Sequence, residues 1–471
     1  MTLPPLASGP HDALSPLLAT VLDALAEGVR GRGGPLPAGG PGAVAARVRS
    51  AVGDLLPEQG DPGALSTIVQ ALAEGSADPA DPLCAAHLHC PPLALPVAAD
   101  LAASTLNPSL DSWDQAPAAS ELEGLVVGVV AGEVYGGRLP KAAEVYGERL
   151  PETTDVPLTP DALVTTGGTE SNHLALLLAR EAHGASLQLL CGANAHHSLP
   201  RAAWLLGLPE PLVVPTPDGV LDPAALGEAL DRLTAPVLVA ATAGTTDAGL
   251  IDPLPEIAAQ CAAHGARLHV DAAYGGGLLF SARHRGKLAG IRAAHTVTLD
   301  LHKIGWQPVA AGLLAVRDGK DLDVLHHRAD YLNADDDTEA GLPDLLGRSL
   351  RTTRRPDALK IAVTLKTLGR TGLAELVDQV CDLARQFADR VEAHPRFELH
   401  ARPVISTVLF RPVGADVAAV RRTLLEQGTA VLGRARTGDG RLWLKATLLN
   451  PHTRPADLDR LLDLVEGTTP T

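Results

Sequence analysis

Two strand-like segments, each followed by a polar side chain, constrain the fold of this 471-residue chain most strongly. Residues 267–276 are largely apolar up to Asp271 and then continue into Ala-Ala and a glycine cluster. Residues 296–299 form a second strand-like run, and Lys303 follows it closely. An apolar run that stops at small, turn-forming residues is typical of a buried strand. Each segment therefore predicts a strand whose carboxyl end delivers a polar group to a site.

A lysine and a carboxylate at two strand ends are the groups that pyridoxal phosphate (PLP) requires. The lysine amine forms a Schiff base with the aldehyde, and the carboxylate keeps the pyridine nitrogen protonated so that the ring accepts electrons. The chain has seven lysines and thirty-two arginines, so a lysine here is less typical of a solubilising surface residue. The alternative is that Lys303 and Asp271 lie at unrelated strand ends.

The sequences HVDAAYGG at 269–276 and DLHK at 300–303 resemble the group II PLP-dependent amino-acid decarboxylases. That family has the aspartate aminotransferase-type fold, fold type I. The resemblance implies that Lys303 holds the cofactor, that Asp271 pairs with its ring nitrogen, and that His302 lies beside the lysine–cofactor bond. The cofactor-binding residues that it implies in these two segments are Asp271, Ala273, Asp300, His302 and Lys303.

A glycine turn between a strand and a helix predicts the site for the phosphate. The sequence TTGGTESN at 165–172 follows a short apolar run and precedes a leucine-rich helix. Such a turn presents free backbone N–H groups and the positive end of a helix dipole, although an ordinary tight loop has the same appearance. No lysine follows the turn, so it is not a Walker loop. The segment resembles the phosphate-binding segment of the family, which implies Gly168 and Thr169 as phosphate contacts.

Two further segments are implied to lie against the cofactor ring. His196 matches the histidine of the family that stacks on the ring, although the neighbouring His197 leaves open which of the two stacks, and a surface histidine is the alternative. Residues 237–241 predict another buried strand. The loop after it resembles the family's loop under the cofactor, with Thr245 or Thr246 supplying a hydroxyl.

The sequence HLHCPP at 87–92 resembles the family's substrate-pocket segment, which implies His89 and Cys90 as substrate contacts. Two histidines at this spacing also suggest a metal site. No carboxylate or third histidine follows at a useful spacing, so no metal is predicted.

A polar, acidic segment over residues 326–341 has the composition of a mobile loop. Tyr331 matches the tyrosine that, in the family, closes over the neighbouring subunit's cofactor and reprotonates the carbanion. It is implied to be catalytic and to contact the substrate, and its presence favours simple decarboxylation over oxidative side chemistry. The acidic run at 335–337 favours a cationic substrate, or it is a solvated loop face.

Alternating buried strands and helices, with a further strand over residues 309–316, predict an α/β domain built on a mainly parallel sheet. We expect an N-terminal helical segment at 1–85, a large PLP-binding domain at 86–366 and a small C-terminal α+β domain at 367–471. The first of these resembles an extension that packs on the partner subunit, which implies a homodimer. A tandem copy, EVYGGRLP and EVYGERLP at 133–151, is predicted to be a local duplication in a surface loop.

Composition argues against several classes of partner. The formal net charge is −16, and no basic stripe is present to neutralise the phosphates of a nucleic acid. The five cysteines are scattered, which fits a reducing compartment. The N-terminus has no signal-peptide pattern, and no apolar run has membrane-spanning length. We therefore expect a cytoplasmic protein without a membrane partner.

The predicted reaction is PLP-dependent decarboxylation of an L-amino acid to its amine and CO2. The sequence of residues 341–360, GLPDLLGRSLRTTRRPDALK, is most similar to that of family members acting on diamino acids, above all 2,4-diaminobutyrate. Lysine or ornithine, acidic and aromatic amino acids stay open as substrates. An aminotransferase or lyase of fold type I is the alternative enzyme. A non-catalytic binding homologue would be expected to lack Lys303 or Tyr331, and both are present.

Overall fold

The computed structural model describes residues 5–8, 12–136, 158–326, 332, 340–342 and 344–469. The chain forms two compact units, of which the smaller combines Met1–Pro91 with Asp382–Thr471 and the larger is Pro92–Cys381. The division into residues 1–85, 86–366 and 367–471 stays a prediction.

The described residues contain α-helices and β-strands throughout the chain. The helices are α1 (Leu14–Arg32), α2 (Gly40–Val52), α3 (Ala64–Gly75), α4 (Ala94–Leu106), α5 (Pro117–Tyr135), α6 (Gly168–His183), α7 (Ser198–Leu205), α8 (Pro223–Leu230), α9 (Leu254–Ala263), α10 (Ala358–Ala393, kinked at Gly369), α11 (Val417–Gln427) and α12 (Pro455–Gly467). The strands are β1 (Cys84–Ala85), β2 (Asp161–Thr165), β3 (Gln188–Gly192), β4 (Leu212–Val214), β5 (Val237–Thr242), β6 (Arg267–Ala272), β7 (Thr296–Asp300), β8 (Gly312–Val316), β9 (Phe397–Leu399), β10 (Thr407–Pro412), β11 (Val431–Arg436) and β12 (Leu442–Thr447).

The larger unit is built on a seven-stranded sheet with the order β2-β8-β7-β6-β5-β3-β4. Strands β7, β6, β5, β3 and β4 pair in parallel, and β8 runs antiparallel to both of its neighbours. Every residue of β5 and β7 is buried, as expected for strands covered on both faces. The carboxyl ends of β5, β6 and β7 therefore meet at one edge of the sheet, as the sequence predicted.

Two strands of this sheet differ from the sequence-based expectation. The strand predicted over residues 309–316 begins only at Gly312, and the preceding Val309 is 67% exposed. Strand β4 was not predicted. It lies at the sheet edge, where Leu212 and Val213 remain exposed. An edge strand of three residues has too short a pattern to be recognised in a sequence.

Helix α6 packs across the larger sheet and so fixes its own N-terminus at the edge where the strands end. Leu174 and Leu178 of α6 pack with Leu314 of β8, whereas Leu176 packs with Leu189 of β3. Burying each leucine stabilises the fold by about 1.5–3 kcal/mol. The first residue of the helix, Gly168, is thereby held in a rigid position.

The smaller unit contains a five-stranded sheet with the order β1-β11-β12-β10-β9. Strand β1 pairs in parallel with β11, so the N-terminal segment completes a sheet whose other strands come from the C-terminal segment. Helices α1 to α3 lie within residues 1–85, for which the sequence predicts a helical segment. A Cβ atom on Gly28 of α1 would lie 2.5 Å from the carbonyl oxygen of Gln70 in α3, so glycine permits the close approach of these two helices.

Glu123→Gln is expected to lower the free energy of unfolding by about 3–5 kcal/mol, because it leaves a buried guanidinium without its counter-ion. The Glu123 carboxylate accepts two hydrogen bonds from Arg354, at 3.2 and 2.8 Å, and both side chains are at most 4% exposed. Urea unfolding measures the effect. Arg232→Ala, which removes an ion pair to Glu228 between side chains that are more than 70% exposed, should cost less than about 1 kcal/mol. Equal costs for the two variants would contradict this account.

Candidate active site

The lysine and the two carboxylates named from the sequence lie at the ends of neighbouring strands. Asp271 is next to last in β6 and pairs in register with Thr298 of β7, and Asp300 is the last residue of β7. Lys303 follows in the turn after β7, with Nζ 2.8 Å from Oδ2 of Asp300. Its side chain is 19% exposed, so the amine is accessible and also paired with a buried carboxylate.

His302 belongs to the same turn. Its Nε2 lies 3.5 Å from Oδ2 of Asp300, and its Nδ1 accepts a hydrogen bond from the backbone N–H of Ala311 at 3.3 Å. Contacts at both ring nitrogens therefore fix the orientation of the imidazole in the turn that contains Lys303.

The Asp271 carboxylate is held in one orientation. Its Oδ2 accepts a hydrogen bond from Nδ2 of Asn172 at 2.8 Å, and its Oδ1 accepts one from the backbone N–H of Ala273 at 3.0 Å. The residue is only 5% exposed. A carboxylate held by a donor at each oxygen suits a group that pairs with a protonated ring nitrogen.

The glycine turn predicted to hold a phosphate packs directly against the end of β7. A Cβ atom on Gly168 would lie 3.0 Å from Oδ2 of Asp300 and 3.0 Å from Cβ of Ala273. Gly168 and Thr169 are the first two residues of the sixteen-residue α6, where backbone N–H groups lack partners within the helix. An anion site, a fixed carboxylate and an accessible amine together fit the phosphate, the ring nitrogen and the aldehyde of PLP.

A further observation supports this fit. Among the described residues, Oδ1 of Asp300 is buried and has no hydrogen-bond partner. An unpaired buried acceptor is costly, and such a group usually acquires a partner from a ligand or water. At this edge of the sheet, Oδ1 of Asp300 can therefore accept a hydrogen bond from a polar ligand.

His196 joins the Asp271 carboxylate through hydrogen bonds. Its Nδ1 lies 2.8 Å from Oγ of Ser198, which in turn accepts a hydrogen bond from Asn172 at 2.9 Å. The ring of His197 packs on that of His196, with centroids 4.1 Å apart, but His197 itself is exposed. Burial lowers the pKa of His196 and outweighs the opposite effect of Asp271. This geometry favours His196 over His197 as the histidine next to the cofactor ring, and that role stays a prediction.

The loop after β5 contains both predicted threonines. Thr245 is buried, and its Oγ1 accepts a hydrogen bond from the backbone N–H of Leu250 at 3.0 Å. Thr246 is exposed. The backbone N–H of Gly275, just after β6, donates to the carbonyl of Ala243 at 2.9 Å and so ties this loop to the Asp271 segment.

The remaining predicted site residues belong to the smaller unit or fall outside the described residues. His89 is exposed and Cys90 is buried, both in the smaller unit after β1, and their contact with substrate stays a prediction. Tyr331, the acidic run at 335–337 and most of the tandem copy at 133–151 lie outside the described residues. No group of three or more His, Cys, Asp or Glu side chains in the described part of the chain could hold a metal ion. Within the same part, no helix has both the length and the apolar character needed to cross a bilayer.

Sequence reasoning missed four buried polar residues that support Asp271. They are Asn172, Ser198, His269 and Thr298. Their signal was a polar side chain inside an apolar segment, such as His269 within β6 and Asn172 ahead of a run of leucines. Buried polar groups of this kind need partners, and a network is the usual solution.

The sheet, the lysine after β7 and the carboxylate on β6 together define a PLP enzyme of fold type I. A family model described as the pyridoxal-dependent decarboxylase conserved domain matches residues 62–413, and the chain belongs to that family. The family, fold class, cofactor and reaction predicted from the sequence are thereby confirmed: the protein is a PLP-dependent amino-acid decarboxylase.

Named relatives are similar over most of the chain. The L-2,4-diaminobutyrate decarboxylase of Rhizobium meliloti (strain 1021) is 39% identical over 436 residues, which cover 88% of this chain and 84% of that protein. The enzyme of the same name from Acinetobacter baumannii is 32% identical over 418 residues, covering 80% of this chain and 78% of that protein.

Solved structures give the same result for the fold. The glutamate decarboxylase domain of diaminobutyrate-pyruvate transaminase and L-2,4-diaminobutyrate decarboxylase from Vibrio parahaemolyticus has a TM-score of 0.82 and 28% identity, covering 98% of this chain and 97% of that chain. The structure of Oryza sativa TDC with PLP and tryptamine has a TM-score of 0.85, covering 99% of each chain. At 23% identity, the second likeness shows the fold alone.

Proposed function

We propose that this decarboxylase acts on an L-diamino acid, with 2,4-diaminobutyrate as the first candidate. The observation that carries the proposal is the 39% identity, over 88% of the chain, to a relative named for that substrate. The resemblance of residues 341–360 to diamino-acid decarboxylases supports the same substrate class. Lysine or ornithine, acidic and aromatic amino acids are the competing substrates.

We further propose specific roles for the side chains at the sheet edge. When bound, PLP supplies an electron sink for the pair left on the α-carbon as CO2 departs. Lys303 would hold the cofactor through its side-chain amine. Asp271 keeps the positive charge on the ring nitrogen, and the N-terminus of α6 at Gly168 and Thr169 binds the phosphate. Positioning of this kind contributes about 7–11 kcal/mol in favourable cases.

The remaining roles concern the ring face and the proton. His196 lies against the ring as a neutral imidazole, because burial lowers its pKa, and so adds no second positive charge there. His302 positions the Lys303 amine, and Thr245 or Thr246 supplies a hydroxyl below the ring. We propose that Tyr331 returns the proton to the α-carbon.

We also propose a homodimer whose active sites lie at the subunit interface. Support comes from the resemblance of the N-terminal segment to an extension that packs on a partner. It also comes from the apolar side chains that α1 leaves more than 40% exposed, which are Leu17, Leu22, Leu25 and Val29. Exposed apolar patches of this kind mark interaction surfaces. A cytoplasmic location rests on the sequence composition alone.

A substrate panel tests the proposed activity. The PLP-loaded protein is incubated with 2,4-diaminobutyrate, ornithine, lysine, glutamate, aspartate and an aromatic amino acid, and CO2 and amine are quantified for each. We expect CO2 and 1,3-diaminopropane from 2,4-diaminobutyrate. Ornithine, which is one methylene longer, should have a kcat/KM lower by about 10–200-fold.

Two outcomes of the panel would contradict the proposal. A higher kcat/KM for glutamate, aspartate or the aromatic amino acid would reject the diamino-acid class while retaining decarboxylation. Keto acid without CO2 from every substrate would favour the aminotransferase alternative. Protein stripped of PLP is the blank for both measurements.

A further inference from the structure

The side chain of Asn172 uses all of its hydrogen-bonding capacity in the buried network below Asp271. Its Nδ2 donates to Oδ2 of Asp271 at 2.8 Å and to Oγ of Ser198 at 2.9 Å. Its Oδ1 accepts from Oγ1 of Thr298 at 2.8 Å and pairs with Nε2 of His269 at 3.0 Å. An asparagine amide has two N–H donors and two acceptor lone pairs, so nothing is left over. The residue is 1% exposed.

The chemistry of the partners fixes the orientation of this amide. An ionised carboxylate only accepts hydrogen bonds, so the amide nitrogen must face Asp271. The amide oxygen then faces His269, which has to donate from Nε2. His269 is neutral because burial lowers its pKa to about 4, so its Nδ1 carries no proton and accepts from Oγ1 of Thr296 at 2.8 Å. A flipped amide would place two acceptors against each other at Asp271.

A second arm of the network leads from Asn172 to His196. Because Oγ of Ser198 accepts from Asn172, its own hydrogen is free to donate to Nδ1 of His196, 2.8 Å away. The backbone N–H of Ser198 also points to that nitrogen, at 3.3 Å. Both contacts require an unprotonated Nδ1, so the neutral ring of His196 carries its proton on Nε2.

We propose that Asn172 is a positioning residue that orients Asp271 and His196, two of the side chains assigned to the cofactor ring. Its amide aims the Asp271 carboxylate, and through Ser198 it fixes the tautomer and ring plane of His196. The inference rests on the proposed roles of Asp271 and His196. Asn172 lies on α6, whose N-terminus is assigned to the phosphate, so one rigid helix positions three parts of the cofactor.

The test measures orientation of the cofactor as well as turnover. In Asn172→Ala we expect PLP to bind more weakly, and the visible circular dichroism per bound PLP to fall by at least about half. We expect kcat to fall about 10–100-fold with little change in KM, the range for losing a hydrogen bond to a charged group. Asn450→Ala is the matched control, because Asn450 is a buried asparagine of the smaller unit that donates to the carbonyl of Ala80 at 2.8 Å. It should lose thermal stability and retain both the dichroism and kcat.

A conservative pair covers the case in which Asn172→Ala fails to fold. Thr298→Val keeps the shape of the side chain and removes the donor to Asn172, whereas Thr298→Ser keeps the hydroxyl. We expect the dichroism and kcat to fall in Thr298→Val and to be retained in Thr298→Ser.

Four results would overturn the inference. The first is equal dichroism and equal kcat in Thr298→Val and Thr298→Ser. The second is that Asn172→Ala and its control Asn450→Ala have the same dichroism and the same kcat. If the wild type releases CO2 and Asn172→Ala is unimpaired, the positioning role is rejected and the proposed function is retained. A wild type that releases no CO2 from any amino acid rejects the proposed function and this inference with it.

Discussion

Lys303→Ala is expected to lower kcat for decarboxylation by more than about 1,000-fold, which corresponds to about 4 kcal/mol of transition-state stabilisation. The amine lies where β7 ends, 2.8 Å from Asp300, and is reachable from solvent. Without it the cofactor is held only by non-covalent contacts, and no protein amine exchanges with that of the substrate. Alanine also leaves the buried Asp300 carboxylate without its cation, so some loss of stability should accompany the loss of turnover.

Borohydride reduction separates the covalent role of Lys303 from a general loss of fold. After reduction of the PLP-loaded protein, mass spectrometry of peptides should place the cofactor on Lys303 in the wild type and on no lysine in the variant. Lys320→Ala is the control, because its side chain is exposed beside the strand end of β8. It should keep both the label and the rate. Undiminished CO2 release by Lys303→Ala, or a label on another lysine, would remove Lys303 from the mechanism.

The strand ends of this site could be predicted because each depends on a local pattern. Segments 267–272 and 296–300 are apolar runs bounded by turn residues, and both became buried parallel strands. Parallel neighbours bring their carboxyl ends to one edge, so Asp271 and Lys303 needed only the correct strand order to meet. The Gly-Gly turn was recognisable for the same reason, since it interrupts a strand-to-helix boundary at 166–168.

The hydrogen-bond network around Asn172 could not be predicted in the same way. Asn172 bonds to Asp271 and Thr298, which are about a hundred residues away in sequence, and the bonds depend on the register of β6 against β7. A one-residue shift in register would turn these side chains to the other face of the sheet. The pairing of β1 with β11 could not be predicted for a similar reason, because neither sequence segment contains a local signal that identifies so distant a partner strand.

Asp271→Asn is the second large effect that we expect, with kcat lowered about 100–1,000-fold and PLP retained. The asparagine has the same shape and can still accept from the backbone N–H of Ala273. It carries no negative charge to stabilise the protonated ring nitrogen. It also presents either an amide nitrogen or a neutral oxygen to Nδ2 of Asn172, where the carboxylate accepted a charge-assisted hydrogen bond at 2.8 Å. The cofactor should remain, because we propose that Lys303 and the N-terminus of α6 hold it at other atoms.

Parallel measurements of kcat and of bound PLP by visible absorption test this prediction. Asp252→Asn is the matched control. Asp252 is a buried carboxylate of the same unit that accepts from Asn194 and from the backbone N–H groups of Leu221 and Thr242. Its loss should lower stability while kcat per bound cofactor stays close to the wild-type value. If Asp271→Asn retained kcat within about tenfold, charge at the ring nitrogen would not limit the reaction, and β6 would serve only to position the cofactor. Loss of kcat together with retained PLP would assign that charge to Asp271.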